Sequence, residues 1–209
     1  MRRTLVMGLF AALFLTIAGP AAQAAEGDVA GKVLRLKNGA VALQGAAPRA
    51  MKVGSDVLVG DVISTGAGAR LEFSLRDGSV VTLGERATFA LSDFEDTPSK
   101  ENITLRLLSG AFKAASGSIA ARNPDAMTVA TNTATIGIRG TTVWGGTLDS
   151  AFEVALLEGT AVTVTTRAGT VELNAAGQGT SVPSTDQPPT APVTWAQTKV
   201  TRALATVDF

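Results

Sequence analysis

The sequence predicts an all-β protein built from short strands and hairpins. Thr, Val and Gly are frequent between residues 31 and 182, and no apolar stripe at helical spacing occurs there. Several segments in this region alternate apolar and polar residues, which is the pattern of a strand with one buried face. The clearest of these segments are Leu71–Leu75, Val162–Thr165 and Val171–Leu173.

Residues 1–24 have the organisation of a secretory signal peptide. Two arginines precede an apolar run from Leu5 to Ala18, and Ala22-Gln23-Ala24 has the small-x-small pattern of a cleavage site. The apolar run is shorter than the roughly 20 residues that a transmembrane helix needs. We therefore expect cleavage after Ala24, a periplasmic or secreted protein, and no membrane span in the mature chain.

A Leu-x-x-Gly pattern recurs between the strand-like segments. Asn-Gly and Asp-Gly favour tight turns because both residues tolerate positive φ better than most. The unequal spacing of the copies excludes a repeat of strict period. It fits either a solenoid-like stack of short strands or a β-sandwich. The four copies are Leu36–Gly39, Leu75–Gly78, Leu107–Gly110 and Leu156–Gly159.

The composition changes after residue 182. Four prolines among Ser, Thr, Asp and Gln predict an extended linker over residues 183–193. In the tail, residues 194–209, Val200, Ala203, Leu204 and Val207 are at roughly helical spacing, which allows a short helix. We expect this helix to dock on the sheet, with a partner protein as the alternative. Residues 25–182 then form a single all-β domain.

Charge and chemistry exclude several function classes. The whole chain has 18 basic and 18 acidic residues, and loss of Arg2 and Arg3 with the leader leaves the mature chain slightly acidic. No basic excess is available for nucleic acid. His, Cys and Tyr are absent, which removes the usual catalytic triads and nearly all zinc sites.

We therefore expect no enzyme, no cofactor and no metal site. Residues 93–102 are rich in carboxylates but lack the ligand order of a calcium loop. We expect them to form a solvated connection between strands.

The segment Thr131–Trp144, TNTATIGIRGTTVW, resembles the signature of FecR-like domains. Val59–Gly66 (VGDVISTG), the strand pair Arg70–Leu83 and the run Leu156–Thr160 agree with it, as does LLSG at residues 107–110. The resemblance covers residues 31–179. It implies an all-β periplasmic domain that, in FecR-type regulators, receives a signal from an outer-membrane transporter. The expectation here is a stand-alone exported form, without the cytoplasmic anti-sigma region.

The candidate interaction residues are Arg139, Gly140, Thr141 and Trp144. Arg139 could bind a carboxylate of a partner, or it could pair within the fold. Trp144 could contribute to an interface if it is exposed, or fill the core. The predicted function is a non-catalytic module that binds an envelope protein. The alternative is a structural protein that binds cell-wall glycan or self-assembles, and the sequence leaves the oligomeric state open.

Overall fold

The computed structural model describes residues 27–97, 99–149, 151–159 and 161–209, which form two nine-stranded sheets and two short helices. The predicted signal peptide lies outside the described residues. Sheet A contains β1 (Val29–Lys37), β4 (Asp56–Leu58), β6 (Arg70–Leu75), β7 (Val80–Leu83), β10 (Phe112–Ala115), β13 (Thr142–Thr147), β14 (Phe152–Glu158), β17 (Gln178–Val182) and β18 (Val193–Thr194). Sheet B contains β2 (Ala40–Gln44), β3 (Ala47–Ala50), β5 (Val62–Thr65), β8 (Thr88–Thr97), β9 (Lys100–Ser109), β11 (Met127–Ala130), β12 (Thr135–Ile138), β15 (Val162–Thr166) and β16 (Gly169–Leu173). The helices are α1 (Ser118–Arg122) and α2 (Gln197–Ala205).

The chain moves between the two sheets after every one or two strands. Sheet A has the order β4-β1-β6-β7-β10-β13-β14-β17-β18, and sheet B has the order β3-β2-β5-β8-β9-β11-β12-β15-β16. Both orders nearly follow the sequence, so the chain advances from one edge of the sandwich to the other. Among the described strands only β9 and β11 pair in parallel. The all-β prediction is confirmed. The two sheets have the sandwich-like arrangement that was the alternative to a solenoid-like stack.

The core lies between the two sheets and follows the alternation seen in the sequence. On β6, Leu71, Phe73 and Leu75 point inward and are buried, while the intervening Glu72 and Ser74 face outward. Phenylalanines from the two sheets meet in the middle. The ring of Phe89 in sheet B lies 6.4 Å from that of Phe73 and 6.0 Å from that of Phe112, both in sheet A.

The repeated Leu-x-x-Gly pattern forms tight turns at all four places. Gly78, Gly110 and Gly159 have φ of +85°, +85° and +94°, and in the first copy Asn38 takes this role with φ of +58°. Only the Gly78 turn closes a hairpin, between β6 and β7. The other three turns carry the chain from one sheet to the other.

Residues 93–97 and 100–102 belong to the paired strands β8 and β9, so the expectation of a solvated connection was wrong. Phe94 pairs in register with Ile103, and both side chains are buried. These two apolar residues keep the strands paired almost to the tip. The carboxylates between them had concealed the alternation in the sequence.

The helix α2 covers part of the outer face of sheet A, and the predicted C-terminal helix is thereby confirmed. Ala203 of α2 belongs to a second apolar cluster, together with Trp144, Ala155, Trp195 and Val207. The preceding segment runs beside β17, where the Thr180 hydroxyl donates to the Thr190 carbonyl at 2.6 Å. Neither described helix is long and apolar enough to cross a membrane.

A buried ion pair joins β3 to the turn before β5. Asp61 is fully buried, and both of its carboxylate oxygens accept from Nη2 of Arg49, at 2.7 and 2.6 Å. The backbone N–H of Leu58 also donates to Asp61, at 2.8 Å. The Arg49 side chain remains 35% exposed.

We expect Asp61→Ala to lower the free energy of unfolding by about 3 kcal/mol, because it leaves a partly buried guanidinium without its partner. Urea unfolding followed by circular dichroism measures this loss. The control is Asp56→Ala, which removes a more exposed pair with Lys32 and should cost less than about 1 kcal/mol. Equal losses in the two variants would contradict this account.

We expect Gly179→Val to displace α2 without unfolding the sandwich. A Cβ atom at Gly179 would lie 2.3 Å from the indole of Trp195, so the side chain cannot enter while Trp195 stays in place. The expected result is a red shift of tryptophan emission and faster proteolysis of residues 183–196. The control is Gly39→Val, where no atom lies within 4 Å of the added Cβ. Unchanged emission in Gly179→Val would show that α2 is held in another way.

Candidate interaction site

The predicted Arg-Gly-Thr segment forms the crossing from β12 in sheet B to β13 in sheet A. Gly140 is exposed and has φ of +68°, a conformation that glycine adopts at low cost. Arg139 is half-buried, and its Nη2 pairs with Asp125 at 2.7 Å. Its Nε is buried and has no hydrogen-bond partner among the described residues. Arg139 is thus paired within the fold and still reaches the surface.

Thr141 holds this turn against the end of β10. Its backbone N–H donates to the hydroxyl of Ser116 at 2.9 Å, and its carbonyl accepts from the backbone N–H of Ser116 at 3.1 Å. Thr141 is only 5% exposed, and its hydroxyl has no partner among the described residues. These contacts position the turn and leave Thr141 little surface for a ligand.

Trp144 lies on the outer face of sheet A beneath α2 and is fully buried. Its indole Nε1–H donates to the hydroxyl of Thr206 at 3.0 Å. Its ring packs edge-on against that of Trp195, with 6.0 Å between the centroids. In this arrangement Trp144 presents no surface to a partner. The structure therefore separates Trp144 from the exposed Arg139–Gly140 turn.

Ion pairs hold α2 against β14 and against the connection between β13 and β14. Lys199 lies 2.6 Å from the carboxylate of Glu153, a residue of β14 that is 4% exposed. Arg202 donates to Asp149 at 2.7 Å. This hydrogen bond lowers the pKa of Asp149 below its ordinary value of 3.8. The ionised carboxylate is thus favoured in the folded state. Its contribution to the docking of α2 is present at neutral pH and is lost as the pH falls through the lowered pKa.

A groove of about 530 Å³ lies between α2 and the uncovered part of sheet A. Its floor consists of outward-facing side chains on four adjacent strands, and its wall consists of residues of α2. We call it the α2 groove. The floor residues are Val80, Ala115, Thr142 and Leu157, and the wall residues are Val200 and Leu204.

Charged side chains also line the α2 groove. Glu72, Glu158 and Asp208 supply three carboxylates, and Lys113 supplies one ammonium group. The Thr142 hydroxyl donates to Glu158 at 3.3 Å. The groove is therefore apolar along its floor and acidic on balance.

The sequence indicated only part of this groove. Val200 and Leu204 are four residues apart in the predicted helix, and Thr142 directly follows the candidate interaction residues Arg139, Gly140 and Thr141. No sequence signal joined them to Lys113 or Leu157, because strand register and the position of α2 bring these residues together.

Solved structures of another protein have a similar fold. Two crystal structures of a proposed anti-sigma factor from Parabacteroides distasonis ATCC 8503 each align with a TM-score of 0.50 and 17% sequence identity. The alignment covers 67% of this chain and 62% of that protein, so this chain spans less than two thirds of its length. At this identity the likeness shows the fold alone. No curated protein matches the sequence.

A family model described as FecR protein matches residues 61–172, which is more than half of the chain. The matched region begins at the buried Asp61 and includes the Arg139–Thr141 turn and the floor of the α2 groove. It agrees with the motifs that indicated this resemblance in the sequence. The chain belongs to the FecR family.

Proposed function

We propose that this chain is a non-catalytic binding module of the bacterial envelope, similar to the sensing domain of FecR-type regulators. The observation that carries the proposal is the FecR match over residues 61–172. FecR domains are regulatory and typically associated with the envelope. The anti-sigma factor of similar fold is also a regulator by its description.

The surface features fit binding better than catalysis. The pair of half-buried Arg139 and exposed Asp125 offers a charged contact at the crossing from β12 to β13. The α2 groove offers an apolar contact on the outer face of sheet A. His and Cys are absent from the sequence, so imidazole and thiolate chemistry is not available.

A structural role is the second candidate, and one surface of sheet B favours it. Val41 and Leu43 on β2 are 42% and 41% exposed, and they neighbour the edge strand β3. Exposed apolar side chains beside a sheet edge favour association with a second copy or with another surface. This role predicts self-capture or binding to cell-wall glycan in place of a defined protein partner.

Capture of a partner in cells tests the proposal. The tagged full chain is crosslinked in the source bacterium and purified, and an unrelated tagged envelope protein serves as the reference. We expect enrichment of one envelope protein, and we expect Arg139→Ala to reduce it at least about fivefold, the loss typical of an interface arginine. The control is Arg167→Ala, which removes another exposed arginine that pairs with an aspartate.

Capture of only the chain itself or of glycan would favour the structural role. Equal capture by Arg139→Ala and the wild type would show that Arg139 is not part of the interface. Melting temperatures of both variants show whether a loss comes from misfolding.

The envelope location has its own test. We expect the protein purified from the periplasmic fraction or the medium to begin at Ala25, because the small-x-small pattern ends at Ala24. Intact-mass spectrometry measures the N-terminus. The variant Ala24→Lys should retain the leader and remain with the membrane fraction. A protein that begins at Met1 in the soluble cytoplasmic fraction would contradict the proposed location.

A further inference from the structure

The length of the α2 groove limits what can occupy it. Its floor runs across four adjacent strands of sheet A, with Val80, Ala115 and Thr142 as register neighbours and Leu157 on the next strand. Neighbouring strands lie about 4.8 Å apart, so the floor is about 14 Å long. This length equals about ten residues of an α-helix at 1.5 Å per residue. The nine-residue helix α2 already lies along it.

The floor suits a helix better than an extended segment. The strands β7, β10, β13 and β14 are all paired on both sides within sheet A. Their backbone groups are engaged in the sheet, so an extended peptide on this face would gain no ladder hydrogen bonds. A helix satisfies its own backbone groups. It can also pack beside α2 with the usual distance of about 8–10 Å between the two helix axes. In that position it would cover the half-buried Val200 and Leu204.

The charges of the groove select a basic partner. Glu158 lies at the β14 end of the floor, and Glu72 and Asp208 lie near the β6 end. Glu72 is 4.0 Å from Arg35. Glu158 and Asp208 have no ion pair within 4.0 Å among the described residues. The ammonium group of Lys113 lies on a middle strand, between these carboxylates.

We propose that the α2 groove binds an amphipathic helix of a partner protein, with an apolar stripe on the floor and basic residues toward both ends. The proposal rests on the proposed function as a binding module and assigns that function a site. The helix would complete the outer layer of sheet A, which α2 covers only in part.

Selection from a peptide library tests this proposal before any partner protein is identified. The bait is the full chain, and the probe is a phage-displayed library of random 14-residue peptides flanked by helix-capping residues. Binders of the Ala115→Arg variant, in which a long side chain fills the floor, are removed. We expect the enriched peptides to carry apolar residues at i, i+3 or i+4 and a net positive charge. Enrichment of acidic or non-helical sequences, or none above the variant, would overturn the proposal.

Matched variants locate the binding of the most enriched peptide. Glu158→Lys with Asp208→Lys should weaken it about tenfold in fluorescence anisotropy, as expected for two exposed charge contacts. Glu172→Lys on the outer face of sheet B should change it less than about twofold. Ala130→Arg is the control for Ala115→Arg, because it adds the same side chain to a middle strand of sheet B. Equal weakening by Glu158→Lys/Asp208→Lys and Glu172→Lys would overturn the proposal.

Capture in cells separates this proposal from the proposed function. If Ala115→Arg loses the envelope protein that the wild type and Ala130→Arg capture, the groove is its site. If Ala115→Arg captures it as well as the wild type does, the binding module stands and the groove assignment is wrong. If the wild type captures no envelope protein, the proposed function itself is wrong.

Discussion

The packing of sheet A against sheet B is the interaction on which the other features of this molecule depend. The chain has no cysteine, so no disulfide supplements its apolar core. Phe89 from sheet B fits between Phe73 and Phe112 of sheet A. Each strand contributes alternate residues to this core. The remaining residues point outward, so each of the two sheets has one outer face.

The outer faces of sheet A and sheet B differ in what covers them. Sheet A carries α2, fixed through the pair of Trp144 and Trp195 and through the ion pair of Lys199 and Glu153. Since α2 is only nine residues long, it covers part of the face and leaves the groove beside it. The outer face of sheet B carries threonines on its central strands, with the exposed apolar pair Val41 and Leu43 toward one edge.

Local patterns predicted much of the fold. The alternation at Leu71–Leu75 and the four Leu-x-x-Gly turns depend on neighbours in the sequence, so they could be recognised there. The pattern did not show which turns change sheets, because that depends on pairing between distant strands. The pairing of β8 with β9 was missed because the outward carboxylates on these strands resemble those of a loop. Arg139 was recognised as a marker of the family, but its pairing with Asp125 depends on how β12 meets the loop before β11.

The burial of Trp144 shows why the candidate site could not be predicted from the sequence alone. The same burial also provides the most direct test of the structure. Its burial depends on Thr206, 62 residues further along the chain. The measurement is hydrogen exchange of the Trp144 indole N–H, followed by NMR in the full chain. If α2 covers the outer face of sheet A, this proton is hydrogen-bonded and buried and exchanges far more slowly than in a free indole. Exchange at the rate of an exposed tryptophan would show that α2 does not lie on the sheet, and the groove beside it would not exist.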